Sequence, residues 1–375
     1  MRVVFDLNPV LVNRFSGFYT FGTNLLKGFE SLEEKPGLVL FYSRQFDEQA
    51  RLIKQRLGNW ASFKPTALKM RLVERYWRYI SYPPLQYFTG DFDIFHSFHH
   101  LMPPAKGKAR ILAVHDLRRY VLPDLYKRSK LELFESAVRG ADHFITVSQS
   151  TKDDLCNIFG ISCEKVNVVH LAADPSFTPA SEQEKQAIRE RLSASLKTDL
   201  RRYLIAFSSP DKRKNIIQII KAFELSCTQF TEDIKLIVVG NAPRNDPEFD
   251  DLKLSGMSEK VVMAGPVDSV RDILCCAEGI VFASLYEGFG MPILEAMACG
   301  VPVITSDCSS MPEVAGDAAL YVDPFSTESI AQAMITLAGN EAKRQQLIAK
   351  GLQRCKDFSW SRTASATLAV YRKLL

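Results

Sequence analysis

Short apolar runs recur along the chain at Arg2–Asp6, Gly37–Tyr42, Ile111–Leu117, His143–Val147, Val166–His170, Tyr203–Phe207, Ile234–Gly240, Lys260–Gly265, Gly279–Ser284 and Val301–Thr305. Their apolar positions are continuous rather than alternating, which predicts strands buried on both faces, as in parallel sheets. Between them lie stretches with helical spacing: Asn24–Phe29, Lys152–Phe159, Ser181–Leu196, Ile216–Phe223 and Val270–Ala277. Strands alternating with helices predict an α/β protein built on doubly wound parallel sheets. A chain of 375 residues exceeds the usual size of one compact core, so two domains are expected.

The most informative stretch is Leu285–Asp307, which reads as strand exit, glycine loop, helix and strand entry. Pro292 suits a first helical turn, where a missing N–H costs nothing. Gly300 can close the helix in a left-handed conformation, and Pro302 prevents its resumption. Gly288 and Gly290 let the backbone approach a ligand, and the amides that follow them open a helix, where the dipole favours an anion. Glu287 stands just before the glycines and Glu295 about one turn inside the helix. The pair flanks whatever the amides hold, and carboxylates suit sugar and ribose hydroxyls. A buried turn between strand and helix would also account for the glycines alone; the two glutamates at this interval are the more specific feature.

The stretch resembles the Glu-x7-Glu signature of the retaining glycosyltransferases of family 4. That resemblance implies the GT-B architecture: two Rossmann-like, doubly wound parallel-sheet domains facing a central cleft. It implies an acceptor-binding domain over 1–178, joined by the C-terminal helix 358–375, and a nucleotide-sugar-binding domain over 200–357. The segment Ala172-Ala173-Asp174-Pro175-Ser176-Phe177 is similar to the family's Gly-Val-Asp-Pro-x-Phe, with alanine where glycine is usual. Carried over by position, the donor-binding backbone spans Gly288, Phe289, Gly290, Met291, Pro292, Ile293 and Leu294, with Glu287 on the sugar and Glu295 on the ribose. Val267, in the loop after Lys260–Gly265, is implied as a contact for the base. Gly17 is similar in place to the family's glycine loop after the first strand, although the glycine pair of many relatives is absent.

Two further elements carry chemistry. After Tyr203–Phe207 comes Asp211-Lys212-Arg213-Lys214-Asn215, placing cations at a strand-to-helix turn, where a leaving diphosphate needs them. This resembles the family's Arg-Lys-Asn, and Arg213 and Lys214 are assigned to phosphate. Ser208 stands where some relatives have an additional arginine. In Ile111–Leu117 an apolar strand delivers His115 at its C-terminal end, where ligands collect in open α/β sheets. It matches the family's Val-His-Asp-Leu, whose histidine faces the donor sugar; a histidine satisfied within the core is the other reading. Asp116 reads as a turn residue. Asp91-Phe92-Asp93 invites a metal site but sits at a strand entrance, and no metal is expected. His96, His99 and His100 lack a partner at ligand spacing.

Charge changes little. The 47 Lys and Arg nearly balance 43 Asp and Glu, which argues against wholesale nucleic-acid binding. One local exception is 64–80, where Lys69, Arg71, Arg75 and Arg78 interleave with aromatic and aliphatic residues. This run fits either a helix lying on an anionic membrane surface or an ordinary helix with solvated charges. The cysteines show no Cys-x-x-Cys spacing and read as buried reduced thiols, which predicts a cytoplasmic protein, with peripheral membrane contact through 64–80 left open. Neither a signal-peptide core nor a run near the ~18 residues of a membrane span is seen.

The expected activity is transfer of a hexose, mannose or glucose, from a GDP- or UDP-linked donor to a glycan or lipid-linked acceptor in surface polysaccharide synthesis. No cofactor is expected. A nucleotide-sugar epimerase or hydrolase of the same fold, or a non-catalytic nucleotide-sugar-binding protein, are the alternatives.

Overall fold

The computed structural model describes residues 1–375 except 14–16, 68–75, 78–79, 81, 99–100, 127–130, 244–245 and 255–259. It divides into two units. The first comprises Met1–Leu171 together with Phe358–Leu375, and the second Ala172–Asp357.

The first unit holds a seven-stranded parallel sheet in the order β3-β2-β1-β4-β5-β6-β7. Its strands are β1 (Arg2–Asp6), β2 (Gly37–Ser43), β3 (Ala61–Thr66), β4 (Ile94–Ser97), β5 (Ala109–Val114), β6 (His143–Thr146) and β7 (Val166–Val168). Val3–Phe5, Leu38–Phe41 and Ile111–Leu112 are almost wholly buried, as continuous apolar strands in a sheet covered on both faces must be. The chain's last helix, Trp360–Lys373, packs on the helix Gly17–Glu30. A side chain at Gly28 would meet the carbonyl oxygen of Trp360 at 2.4 Å, so only glycine permits this approach of the two backbones. Tyr371, fully buried, closes the contact with its hydroxyl 2.7 Å from His96 Nδ1 at the end of β4.

The second unit holds a six-stranded parallel sheet in the order β10-β9-β8-β11-β12-β13. These are β8 (Tyr203–Ser208), β9 (Lys235–Gly240), β10 (Val261–Gly265), β11 (Gly279–Phe282), β12 (Val303–Ser306) and β13 (Ala319–Val322). Leu204, Ala206, Leu236, Val238, Val281 and Ile304 join one core with the helices Ile216–Cys227 and Thr327–Gly339. In both sheets the strand order runs outward in opposite directions from a central pair, β1 and β4 in the first, β8 and β11 in the second. The carboxyl ends of such a pair form the crevice in which open α/β sheets bind ligands.

Lys64 lies in edge strand β3 rather than opening a helix, while Lys69, Arg71 and Arg75 lie outside the described residues, as do Arg78, His99 and His100. Of that run, Trp77 is buried and donates from Nε1 to Pro83 O at 2.9 Å. Gly17 begins a helix rather than occupying a loop. Cys156 and Cys163 are joined in a disulfide and are not free thiols. The helix Gln149–Phe159 ends at Gly160, φ +64°, and the left-handed turn brings Cys163 back beside Cys156. The other six cysteines are free. Asp91 pairs with Lys108 at 3.1 Å and Asp93 accepts from the Arg2 amide at 2.7 Å, which gives both carboxylates strand-end partners. Among the described residues no group of His, Cys, Asp and Glu could hold a metal ion, and no helix is long and apolar enough to cross a membrane.

Candidate functional site

In the second unit the loops after β8 and β11 meet at the sheet's switch point. The turn Lys212–Lys214 is capped by Asp211, whose carboxylate accepts from the Arg213 amide. Asn215 follows with φ +58°, and its amide nitrogen donates to Ala283 O at 3.0 Å and Pro324 O at 2.7 Å. Leu285 N donates to Arg213 O at 2.8 Å. These bonds tie the two loops together before any charge is considered.

Glu287 then lies between two cations. Its Oε1 is 2.7 Å from Lys214 Nζ and its Oε2 is 2.5 Å from Arg213 Nη1. Glu287 is only 7% exposed. Burial pushes its pKa up, but the charges of Lys214 and Arg213 outweigh that and hold it at about 2. For Lys214 burial dominates and lowers the pKa, with Glu287 opposing. Arg213 contacts Asp211 through Nε at 3.1 Å, and Tyr286 O at 3.0 Å and Glu287 through Nη1. Lys214, over the Phe282 ring at 4.6 Å, has three ammonium hydrogens and gives one to Glu287.

Beyond Glu287 the loop leads into the helix Met291–Ala298, with Gly290 at its N-cap in the left-handed region, φ +98°. A β-carbon is strained there, which is the reason for glycine. Gly300, φ +72°, follows the helix end. Glu295 is half-buried in this helix. Burial raises its carboxyl to about 7, against the charge of Lys214 and with that of Asp174, so near neutrality it is poised between its two forms.

The first unit gathers a separate set. His115 follows β5, and the rings of Phe18 and Phe21 pack edge-on against its imidazole at 5.0 and 4.7 Å. Burial lowers its pKa to about 4, and its Nε2 is buried without a hydrogen-bond partner. It borders a cavity of about 350 Å³ lined also by Phe18, Phe98, Leu117, Tyr120 and Phe134. Asp116 accepts from the Arg118 amide at 3.4 Å, as a turn residue does.

Two family models match this chain. Residues 188–354 match "Glycosyl transferases group 1", and residues 38–177 match "Glycosyltransferase Family 4". The chain belongs to the family 4 glycosyltransferases. This glycosyltransferase is 25% identical over 389 residues to O-antigen chain mannosyltransferase B of Escherichia coli, covering 100% of both chains. It is 28% identical over 260 residues to alpha-maltose-1-phosphate synthase of Mycolicibacterium smegmatis, covering 64% of this chain and 65% of the relative. Among solved structures, HepE of Anabaena in complex with UDP and glucose superimposes with a TM-score of 0.73 at 16% identity, over 100% of both chains. WaaG, a glycosyltransferase involved in lipopolysaccharide biosynthesis, does so with 0.70 at 13% identity, over 98% of this chain and 99% of the other. These likenesses show the GT-B fold.

Against that fold, the residues singled out in the sequence separate into groups. Arg213, Lys214, Glu287 and the Gly288–Gly290 turn come together in the glycosyltransferase's second unit, with Glu295 one helical turn in. Gly17 and His115 belong to the first unit. Val267, half-buried, follows edge strand β10. Phe289, Ile293 and Leu294 are buried in the core, so their side chains do not face a ligand. Pro292 has no amide hydrogen, and the Ile293 amide donates inward to Gly290 O at 3.0 Å. Pro292 and Ile293 therefore drop out of the expected row of ligand-facing amides. Arg213 braces Glu287 through Nη1. Asp211 and Asn215 shape this turn without being phosphate ligands. Asn after a cation pair, ahead of an apolar helix, is a usable signal, since Asn tolerates the left-handed conformation.

Proposed function

We propose that this glycosyltransferase is a retaining hexosyltransferase that moves mannose or glucose from a GDP- or UDP-linked donor to a hydroxyl of a glycan or lipid-linked acceptor in surface polysaccharide synthesis. The observation that carries the reading is the Lys214–Glu287 contact at the mouth of a helix, beside the sheet's switch point. An ammonium paired with a carboxylate, close in the chain to the start of a helix, supports a site for one anionic sugar ligand. The mannosyltransferase relatives support mannose, and the HepE complex with UDP and glucose supports a nucleotide-sugar donor.

In this reaction the bond from the anomeric carbon to the diphosphate breaks and its electron pair leaves with phosphate. Lys214 and the amides at Gly290 and Met291 stabilise that growing negative charge. Glu287 retains free lone pairs after pairing with Arg213 and Lys214, and these accept from sugar hydroxyls. Glu295 takes the ribose, and Val267 borders the base. The acceptor hydroxyl attacks from the face that the diphosphate leaves, giving its proton to the departing phosphate oxygen, so no carboxylate nucleophile and no divalent ion are required. His115 is proposed for the sugar, its neutral imidazole able to accept from a hydroxyl, and Gly17 for the diphosphate. Membrane contact through 64–80 would bring the enzyme to a lipid-linked acceptor.

The test is a panel of GDP- and UDP-sugars with lipid-linked and glycan acceptors, read by product anomeric configuration, with and without EDTA. Transfer with retention that survives EDTA supports the proposal. Free-sugar release or epimerisation without transfer to any acceptor refutes it.

A further inference from the structure

The stretch between the end of β11 at Phe282 and the helix start at Met291 has neither ladder nor helix to satisfy its carbonyls, yet most of it is buried. Buried carbonyls need partners. Side chains of β12 and the turn after it supply them in sequence. Thr305 Oγ1 donates to Phe282 O at 3.1 Å, Ser306 Oγ to Ser284 O at 2.7 Å, and Cys308 Sγ approaches Leu285 O at 3.6 Å. Two hydroxyls then converge on one residue. Ser309 Oγ lies 2.6 Å and Ser310 Oγ 2.8 Å from Glu287 O. Ser309 Oγ also accepts from the Glu287 amide at 3.2 Å, and Ser310 Oγ lies 2.9 Å from Phe289 O.

Ser309 adopts φ +57°, the left-handed region that favours glycine. Glycine would fit this backbone without strain but would leave the Glu287 main chain without its hydroxyl. We infer that Ser309 and Ser310 are positioning residues of the nucleotide-sugar site: by fixing the backbone of Glu287 on both sides they hold its carboxylate where Lys214 and Arg213 meet it. This rests on the reading of that site as the donor site.

The test uses the full chain with UDP-glucose and GDP-mannose as probes, read by calorimetric titration and by melting temperature. Ser309→Gly removes the hydroxyl and relieves the backbone; Ser309→Ala removes the hydroxyl and keeps the strain. Both variants are expected to bind the preferred nucleotide sugar roughly 5- to 10-fold more weakly, the loss of one hydrogen bond. Ser309→Gly should melt at least as high as Ser309→Ala, so binding and stability part company. A rise in KM for the donor by the same factor, larger than the change in kcat, gives the kinetic counterpart. Wild-type affinity in Ser309→Gly, or binding that simply follows melting temperature across the two variants, overturns the assignment. Failure of the wild type itself to bind either nucleotide sugar refutes instead the donor-site reading, and the positioning role falls with it.

Discussion

Replacing Glu287 with glutamine is the most direct probe of the site's electrostatics. The side chain keeps its volume, but a buried carboxylate with one oxygen on Lys214 and the other on Arg213 becomes an amide whose NH2 must face one of two cations, donor against donor. Two routes give the magnitude. The drop of the Glu287 pKa from 4.5 to about 2 corresponds to about 3 kcal/mol of stability, and breaking one side of a buried ion pair costs about 3–5 kcal/mol. Against a total of about 5–15 kcal/mol for an ordinary domain, Glu287→Gln should therefore show a large fall in urea midpoint at pH 7. Because the folded-state pKa is depressed, this contribution is complete above about pH 4.5 and disappears as pH falls through about 2. The gap between wild type and variant should close over that window. A variant within about 0.5 kcal/mol of wild type at pH 7, or a gap that does not depend on pH, would refute the argument.

Other consequences are as direct. Lys214→Ala should lower kcat by roughly 10²- to 10³-fold, the cost of removing one donor to a developing anion, while Arg213→Ala should lose more stability than Lys214→Ala, since Arg213 spans Asp211, Tyr286 and Glu287. Glu295 has a raised folded-state pKa of about 7, so wild-type stability should fall as pH rises from about 4.5 to 7. Glu295→Gln should flatten that slope in thermal melts and weaken nucleotide binding. His115, lowered to about 4, should titrate there in an NMR pH series and remain neutral from pH 5 to 8. Thiol labelling of unreduced, denatured protein should count six free cysteines, and eight after reduction.

The parallel strands were legible because burial on both faces forces unbroken apolar runs, as in Val3–Phe5 and Ile280–Phe282. Edge strand β3 was not. Its sequence, Ala-Ser-Phe-Lys-Pro-Thr, is half exposed and includes Pro65, which an edge tolerates and an apolar-run search discards. At the site, residues whose type announces their chemistry stood out: the two glutamates, the cation pair, the glycines. Those that act through backbone geometry did not. Ser309 and Ser310 look like ordinary turn residues until β12 carries them beneath the Glu287 loop, and that proximity is tertiary. Arg213 shows the converse: its charge was readable, but its commitment to Asp211 and a main-chain carbonyl was not. The disulfide escaped because a left-handed glycine, not a redox motif, brings Cys163 to Cys156.

The close seating of Gly28 beneath Trp360 has a consequence for biosynthesis. The first unit borrows the helix Trp360–Lys373, which is translated after everything else in that unit has waited through the whole of Ala172–Asp357. On the ribosome the second unit, contiguous in the chain, is able to close first, while the Phe29 and His96 surfaces stay uncovered until Tyr371 clears the exit tunnel. The half made first is the half finished last, and its nascent form is the one that chaperones would be expected to hold.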